Sequence, residues 1–129
     1  MDLDHKIVEF ISKPIVATLG TFSDGDVQLN NVWYMLKDGK ILLNSQKGRK
    51  WPENIARHKK FSLIITDPTN PYRYVTLYCT FEQSYDGEEA VKDIDELSVR
   101  YTGGSYPEDQ KVGRISLIGS IRHYKTFNV

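Results

Sequence analysis

The stretch Asn44–Lys60, NSQKGRKWPENIARHKK, sets the reading of the whole chain. It follows directly on the apolar run Lys40-Ile41-Leu42-Leu43, which has the character of a strand. Asn44, Ser45, Gln46 and Gly48 make a polar turn, and Lys47, Arg49 and Lys50 place cations at its end. Trp51 and Pro52 come next. Proline suits a first helical turn, so a short helix is expected over 52–59, with Ile55 toward the core. Strand, polar turn, cations and helix N-terminus, in that order, make an anion cradle. Open N–H groups and the positive end of the helix dipole face the turn, and fixed cations add to them. Asn44 and Ser45 offer further hydrogen bonds to phosphate oxygens. The same residues also read as a solvated basic β–α connection. The stretch is no P-loop, since Gly48 stands alone and no Gly-Lys-Ser/Thr follows.

Upstream, Asp2 or Asp4 can cap a short helix with Ile7, Phe10 and Ile11 on one face, ended by Pro14. Residues 14–22 read as a strand and Ser23-Asp24-Gly25-Asp26 as a hairpin turn. Val27 to Leu36 reads as the return strand, Lys37-Asp38-Gly39-Lys40 as a second turn, and Ile41 to Ser45 as strand three. Together they predict a three-stranded meander before the cradle. Asn30 and Asn31 are unusual inside a strand, which points either to a function or to a bulge.

Downstream, Phe61–Thr66 is an apolar strand and Asp67-Pro68-Thr69-Asn70-Pro71 a stiff loop. Residues 72–84 form a long strand with Val75, Leu77, Cys79 and Phe81 on one face and Tyr74, Thr76, Tyr78 and Thr80 on the other. Gly87–Tyr101 is the long helix, with Val91, Ile94, Leu97 and Tyr101 at helical spacing and Gly103-Gly104 as its stop. Its acidic residues (Glu88, Glu89, Asp93, Asp95, Glu96) read as a solvated face. Residues 111–125 form the last strand, where Gly113 and Gly119 permit close approach or sharp bending. Six or seven mostly antiparallel strands with one long and two short helices read as a small barrel.

The 129 residues suit one domain, 1–129. Zero net charge gives no support to wholesale nucleic-acid binding. A single cysteine, Cys79, excludes an intrachain disulfide and a multi-cysteine metal site, and reads as a buried structural thiol. His5, His58 and His123 have no metal-ligand spacing. No signal peptide or membrane-length apolar run is evident, so a cytoplasmic location is expected.

With its motifs in place, the chain resembles the pyridoxamine 5′-phosphate oxidase-like split-barrel flavoproteins over about residues 5–125, and within them the branch of F420-dependent oxidoreductases. Val27-Gln28-Leu29-Asn30-Asn31-Val32-Trp33-Tyr34 resembles the family's second barrel strand, beside the isoalloxazine-type ring. Asn44–Lys60 resembles its phosphate segment, except that Lys50 precedes Asn54 by four residues where many relatives have three. Asp67–Tyr74, Arg100-Tyr101-Thr102-Gly103 and Tyr106-Pro107 are similar to the deazaflavin branch.

The resemblance implies a split β-barrel, mainly β with α, an antiparallel Greek-key-like barrel. It implies a homodimer with the cofactor, F420 or alternatively FMN, in a groove at the subunit interface. Ser45, Arg49 and Lys50 would take the phosphate, with Asn44, Gln46, Trp51 and Asn54 in the same segment. Gln28, Leu29, Asn30, Asn31 and Val32 would edge the ring, and Tyr72, Arg73 and Tyr74 would close the pocket from the second subunit. Trp33 and Tyr34 read instead as core or dimer-packing aromatics. Lys47, Arg57, Lys59 and Lys60 are candidates for a carboxylate tail, or plain surface charge.

No catalytic acid, base or nucleophile stands out. Three functions are open: an F420-dependent reductase passing hydride to an unsaturated small molecule, an FMN-binding oxidase or electron carrier, and a small barrel for single-stranded nucleic acid.

Overall fold

The structure, a computed structural model, describes residues 3–129. Asp4 caps α1 (His5–Ile11), accepting the Lys6 N–H at 2.8 Å, and the helix buries Ile7, Phe10 and Ile11. Asp2, the other candidate cap, lies outside the described residues. The strands are β1 (Ala17–Ser23), β2 (Asp26–Val32), β3 (Met35–Lys37), β4 (Lys40–Gln46), β5 (Lys60–Asp67), β6 (Asn70–Asp86) and β7 (Arg114–Phe127). A short helix, α2 (Lys50–His58), joins β4 to β5. The long helix, α3 (Gly87–Thr102), leads from β6 through a 3₁₀ turn at Glu108–Gln110 to β7.

Every pairing is antiparallel, in the order β2-β1-β5-β6-β7-β4-β3, and the sheet bends without closing. This is a split barrel. Both Asp-Gly hairpins turn through two left-handed residues, Asp24 (φ 49°) with Gly25 (φ 89°) and Asp38 (φ 53°) with Gly39 (φ 76°). That geometry matches the twist of the strands they join. β6 bends where its register with β7 slips, between Tyr78 and Cys79 and between Phe81 and Gln83.

The expected single strand from Val27 to Leu36 is not formed, and with it the three-stranded meander fails. β2 ends at Val32, β3 starts at Met35, and the two stand at opposite ends of the sheet. The cause is local. Tyr34 is fully buried and its hydroxyl donates to the Ile11 carbonyl at 2.7 Å. Its N–H donates to the Tyr101 hydroxyl at 3.3 Å, and its carbonyl accepts from Arg100 Nε at 3.1 Å. Side chains of α3 thereby take the backbone groups that a ladder would use. Asn30 and Asn31 show no bulge, since they pair in regular register with Leu19 and Thr18.

The main core lies inside the barrel, with Leu19, Ile41, Leu43, Leu63, Leu77 and Cys79 among its buried members. A smaller core on the other side packs Ile94 and Leu97 of α3 on Leu42 and Ile118. β4 is thus buried on both faces, which accounts for its unbroken Ile41-Leu42-Leu43 run. Gly119 of β7 is where close approach is required: a Cβ there would stand 2.5 Å from the buried Phe61 ring. Gly119→Ala is expected to lower stability by about 2 kcal/mol through overpacking, measured by urea denaturation.

The acidic face of α3 is only partly solvated. Asp93 is buried, and its carboxylate accepts from Lys37 Nζ at 3.2 Å, Tyr85 OH at 2.5 Å and Ser116 Oγ at 2.7 Å. The hydrogen bond to Asp93 raises the Lys37 pKa, while burial raises that of Tyr85. Asp95 accepts from the Tyr106 N–H at 2.9 Å and pairs with Lys111 at 3.0 Å. Helical spacing alone could not place these two carboxylates against β7 and the loop before it.

Candidate functional site

A cleft of about 350 Å³ opens where the start of α2 meets the end of β2, the end of β4 and the loop before β7. That is the low end of small-molecule sites. Asn31, Val32 and Trp33 form one side, Asn44, Ser45, Arg49 and Trp51 the base, and Tyr106 and Arg114 the far side. Ile94 and Leu97 supply apolar floor, and Val16, 49% exposed, sits at the rim.

The chain reaches this geometry by simple means. β4 runs out at Gln46, Gly48 turns at φ 90°, and α2 starts at Lys50, two residues before the expected Pro52. Arg49 is the N-cap residue, and its own side chain makes no capping hydrogen bond. Arg49 and Trp51 of this helix start both line the cleft, so the positive end of the helix lies beside it. Arg114 starts β7 opposite Gln46 and donates from Nε to Asn44 Oδ1 at 2.9 Å. Its guanidinium lies over the Tyr106 ring, 5.1 Å from the centroid. Burial lowers the Arg114 pKa, Tyr106 opposes that, and the nearby Arg49 charge adds to it. Among the described residues neither arginine pairs with a carboxylate. Two cations facing one cleft without an acid between them suit an anionic ligand.

An aromatic cluster joins the two sides of the cleft. Trp33 stacks on Tyr101 (centroids 5.3 Å apart, planes at 5°) and meets Tyr106 edge-on at 6.2 Å. The loop carrying Tyr106 is pinned by Asp95 and by Gln46 Nε2, which donates to the carbonyls of Gln110 and Val112 at 3.2 Å each. The Tyr106 N–H bond and then Lys111 hold the Asp95 carboxyl below the usual carboxylate range. A lowered folded value favours the folded state above the unfolded pKa of about 3.9, and that stability is lost as pH falls below it. The loop is expected to loosen below about pH 4, seen as a change in tryptophan fluorescence that is absent in Asp95→Asn, which has no carboxyl to titrate.

Of the residues singled out in the sequence, the structure brings Asn31, Val32, Asn44, Ser45, Arg49 and Trp51 into one cleft. Gln28, Leu29 and Asn30 do not line it. Gln28 Nε2 donates to Asn30 Oδ1 at 2.9 Å, and Gln28 Oε1 accepts from Asn54 at 3.3 Å. Asn54 is buried and also donates to Thr21, tying α2 to β1. Lys50 and Arg57 both point to Asp24, at 3.6 and 3.7 Å. Lys47 pairs with Asp86, and Lys59 sits over the Phe81 ring at 5.3 Å. Lys60 is exposed at the start of β5.

Tyr72, Arg73 and Tyr74 belong to the start of β6 and line no part of this cleft within the one chain. Arg73 pairs with Asp67 at 3.3 Å and covers the Phe10 ring, while Tyr74 stacks on Phe127. The sequence reading missed Arg114 and the apolar floor, and put packing ahead of ring contact for Trp33, which packs on Tyr101 and Tyr106 and also lines the cleft. Arg114 directly follows a turn glycine at the head of the last strand, but only the long-range pairing of β4 with β7 brings it here. Among the described residues no carboxylate, imidazole, thiol or ammonium lines the cleft, and none group to hold a metal.

Comparison with known proteins agrees with the fold. A solved F420 reductase superposes with a TM-score of 0.80 at 22% identity, covering 91% of this chain and 94% of that one. A conserved hypothetical protein from Mycobacterium tuberculosis also gives 0.80 at 22% identity, covering 98% and 85%. A FAD and heme binding protein from Mycobacterium smegmatis gives 0.73 at 13% identity, covering 98% and 71%. No curated protein matches the chain. The family profile described as pyridoxamine 5′-phosphate oxidase matches residues 3–118, nearly the whole of the chain and every element that builds the cleft but the tail of β7. The chain belongs to the pyridoxamine 5′-phosphate oxidase family.

Proposed function

We propose that this protein is a flavin- or deazaflavin-dependent oxidoreductase, in the first place an F420-dependent reductase that passes hydride to an unsaturated small molecule. The observation that carries the reading is the convergence of Arg49 and Arg114 on one cleft, beside a helix start and without a carboxylate partner among the described residues. That donor set fits a phosphate-bearing cofactor. Such a cofactor supplies the two-electron chemistry itself, and the protein binds and orients it. Arg49 would hold the phosphate with Ser45, and Asn31, Val32 and Trp33 would face the ring. F420 is put before FMN because Asp67–Tyr74, Arg100-Tyr101-Thr102-Gly103 and Tyr106-Pro107 resemble the deazaflavin branch, and a protein named F420 reductase is among those that share the fold.

The exposed surface beside the cleft supports a homodimer. Phe22, Val27 and Leu29 are 52%, 62% and 67% exposed and share one face of the β1–β2 hairpin with Asn31. An apolar strip running into a half-open cleft is suited to a second copy. Tyr72, Arg73 and Tyr74 would then reach the cofactor only from that copy.

Titration of the purified protein with F420 and with FMN, followed by fluorescence, tests the reading. Micromolar or tighter F420 binding with weak FMN binding supports the reductase, and the reverse preference moves the protein to the FMN group. Binding of neither, or a monomer by sedimentation, removes the shared-cofactor reading. No helix among the described residues is long and apolar enough to cross a membrane.

A further inference from the structure

Asp93 lies outside the cleft, yet a continuous chain of hydrogen bonds connects it to Arg114. Ser116 Oγ donates to Asp93 Oδ2 at 2.7 Å, Asn44 Nδ2 donates to Ser116 Oγ at 3.0 Å, and Arg114 Nε donates to Asn44 Oδ1 at 2.9 Å. Each link has a forced direction. A carboxylate only accepts, so the Ser116 hydroxyl must donate to it and offer its lone pairs to Asn44. The other hydrogen of the Asn44 amide goes to the Ala90 carbonyl at 2.9 Å. Both amide hydrogens are thereby used, and Asn44 has only its oxygen to present to Arg114. The far end of the chain is anchored by Lys37 and Tyr85, which also bond Asp93. Asp93 and Ser116 are buried at 1% and 0% exposure, so water does not compete for these links.

We infer that Arg114 is a second anion-binding residue of the cleft, and that Asp93 is its positioning residue, acting through Ser116 and Asn44. Nε of Arg114 is committed to Asn44 and its ring-facing side to Tyr106, which leaves the two Nη groups for a ligand. With Arg49 they grip a phosphate group from two sides, as a guanidinium fork suits. With asparagine in place of Asp93, an NH₂ donor would compete for Ser116. The serine hydroxyl could turn, and the order of donors and acceptors along the chain would no longer be fixed. This deepens the cofactor reading and rests on it only for the identity of the ligand, because inorganic phosphate probes the grip by itself.

The experiment measures inorganic phosphate binding by ³¹P NMR titration, and cofactor binding by fluorescence, on the full chain and its variants. Arg114→Ala is expected to weaken phosphate binding about tenfold or more. Arg114→Lys should recover only part of it, since a lysine keeps the charge but not the fork. Asp93→Asn is expected to weaken binding about threefold to tenfold with Arg114 present and to leave it unchanged in the Arg114→Ala background, the signature of action through one residue. Thermal unfolding measured alongside should show Asp93→Asn destabilising both backgrounds equally, which a purely structural role also gives. Ser116→Ala cuts the same chain one link later and takes the place of Asp93→Asn if that variant does not fold. Absence of phosphate binding, an Arg114→Ala affinity within twofold of the parent, or an equal effect of Asp93→Asn in both backgrounds overturns the inference. Phosphate held by Arg114 with neither F420 nor FMN bound upholds it and defeats the cofactor reading instead.

Discussion

Tyr34→Ala is expected to cost about 3–5 kcal/mol of stability, as emptying a fully buried aromatic site does. The side chain has no exposed surface and its hydroxyl donates to Ile11, which ties α1 to the point where the chain leaves β2 for β3. Burial drives the Tyr34 pKa well upward, so the hydroxyl stays a donor across the physiological range. Tyr34→Phe separates the two contributions. It keeps the ring beneath the Arg100 guanidinium, 5.3 Å from the centroid, and loses only the bond to the Ile11 carbonyl. That variant should lose about 1 kcal/mol. Urea denaturation of both checks the pair, and equal losses would mean that the hydroxyl rather than the ring holds this junction.

Arg49→Ala with Lys50→Ala is expected to weaken cofactor binding by about 3 kcal/mol or more, given about 1.5–3 kcal/mol for each hydrogen bond to a charged group. The geometry divides that loss unequally. Arg49 lines the cleft, whereas Lys50 lies 3.6 Å from Asp24 with half of its side chain exposed. Arg49→Ala alone should carry most of the effect and Lys50→Ala less than about 1 kcal/mol, in keeping with exposed charges. Fluorescence titration of the three variants decides this. Unchanged affinity in the double variant would take the anion cradle out of the account.

The parts legible in the sequence are those written in local signals. Asp24-Gly25 and Asp38-Gly39 announced their hairpins, Gly103 its helix end at φ 82°, and Pro52 the first turn of α2. The polar turn followed by Arg49 announced the base of the cleft. What failed depended on partners far away in the chain. Trp33 and Tyr34 continue a strand-like run by composition, but Tyr34 is bound by Arg100 and Tyr101, more than sixty residues on. Asp93 sits among acidic neighbours on a helix and shows no local mark of burial; Lys37, Tyr85 and Ser116 make burial tolerable, and each comes from another strand. Arg114 was missed for the same reason, since the pairing of β4 with β7 spans about seventy residues.

The lone thiol gives the molecule a chemical clock. Cys79 has no exposed surface in mid-β6, and burial pushes its pKa up to about 12. In the opened chain the same thiol returns to about 8.5 and reacts freely. At pH 8 a thiol reagent therefore modifies the protein only while β6 is free of β5 and β7, and where reclosing outpaces labelling the rate follows the open fraction. A ligand that binds the folded state alone slows this clock by the factor 1 + [L]/Kd. Any candidate cofactor can then be ranked by the delay it causes, without knowledge of the reaction it serves.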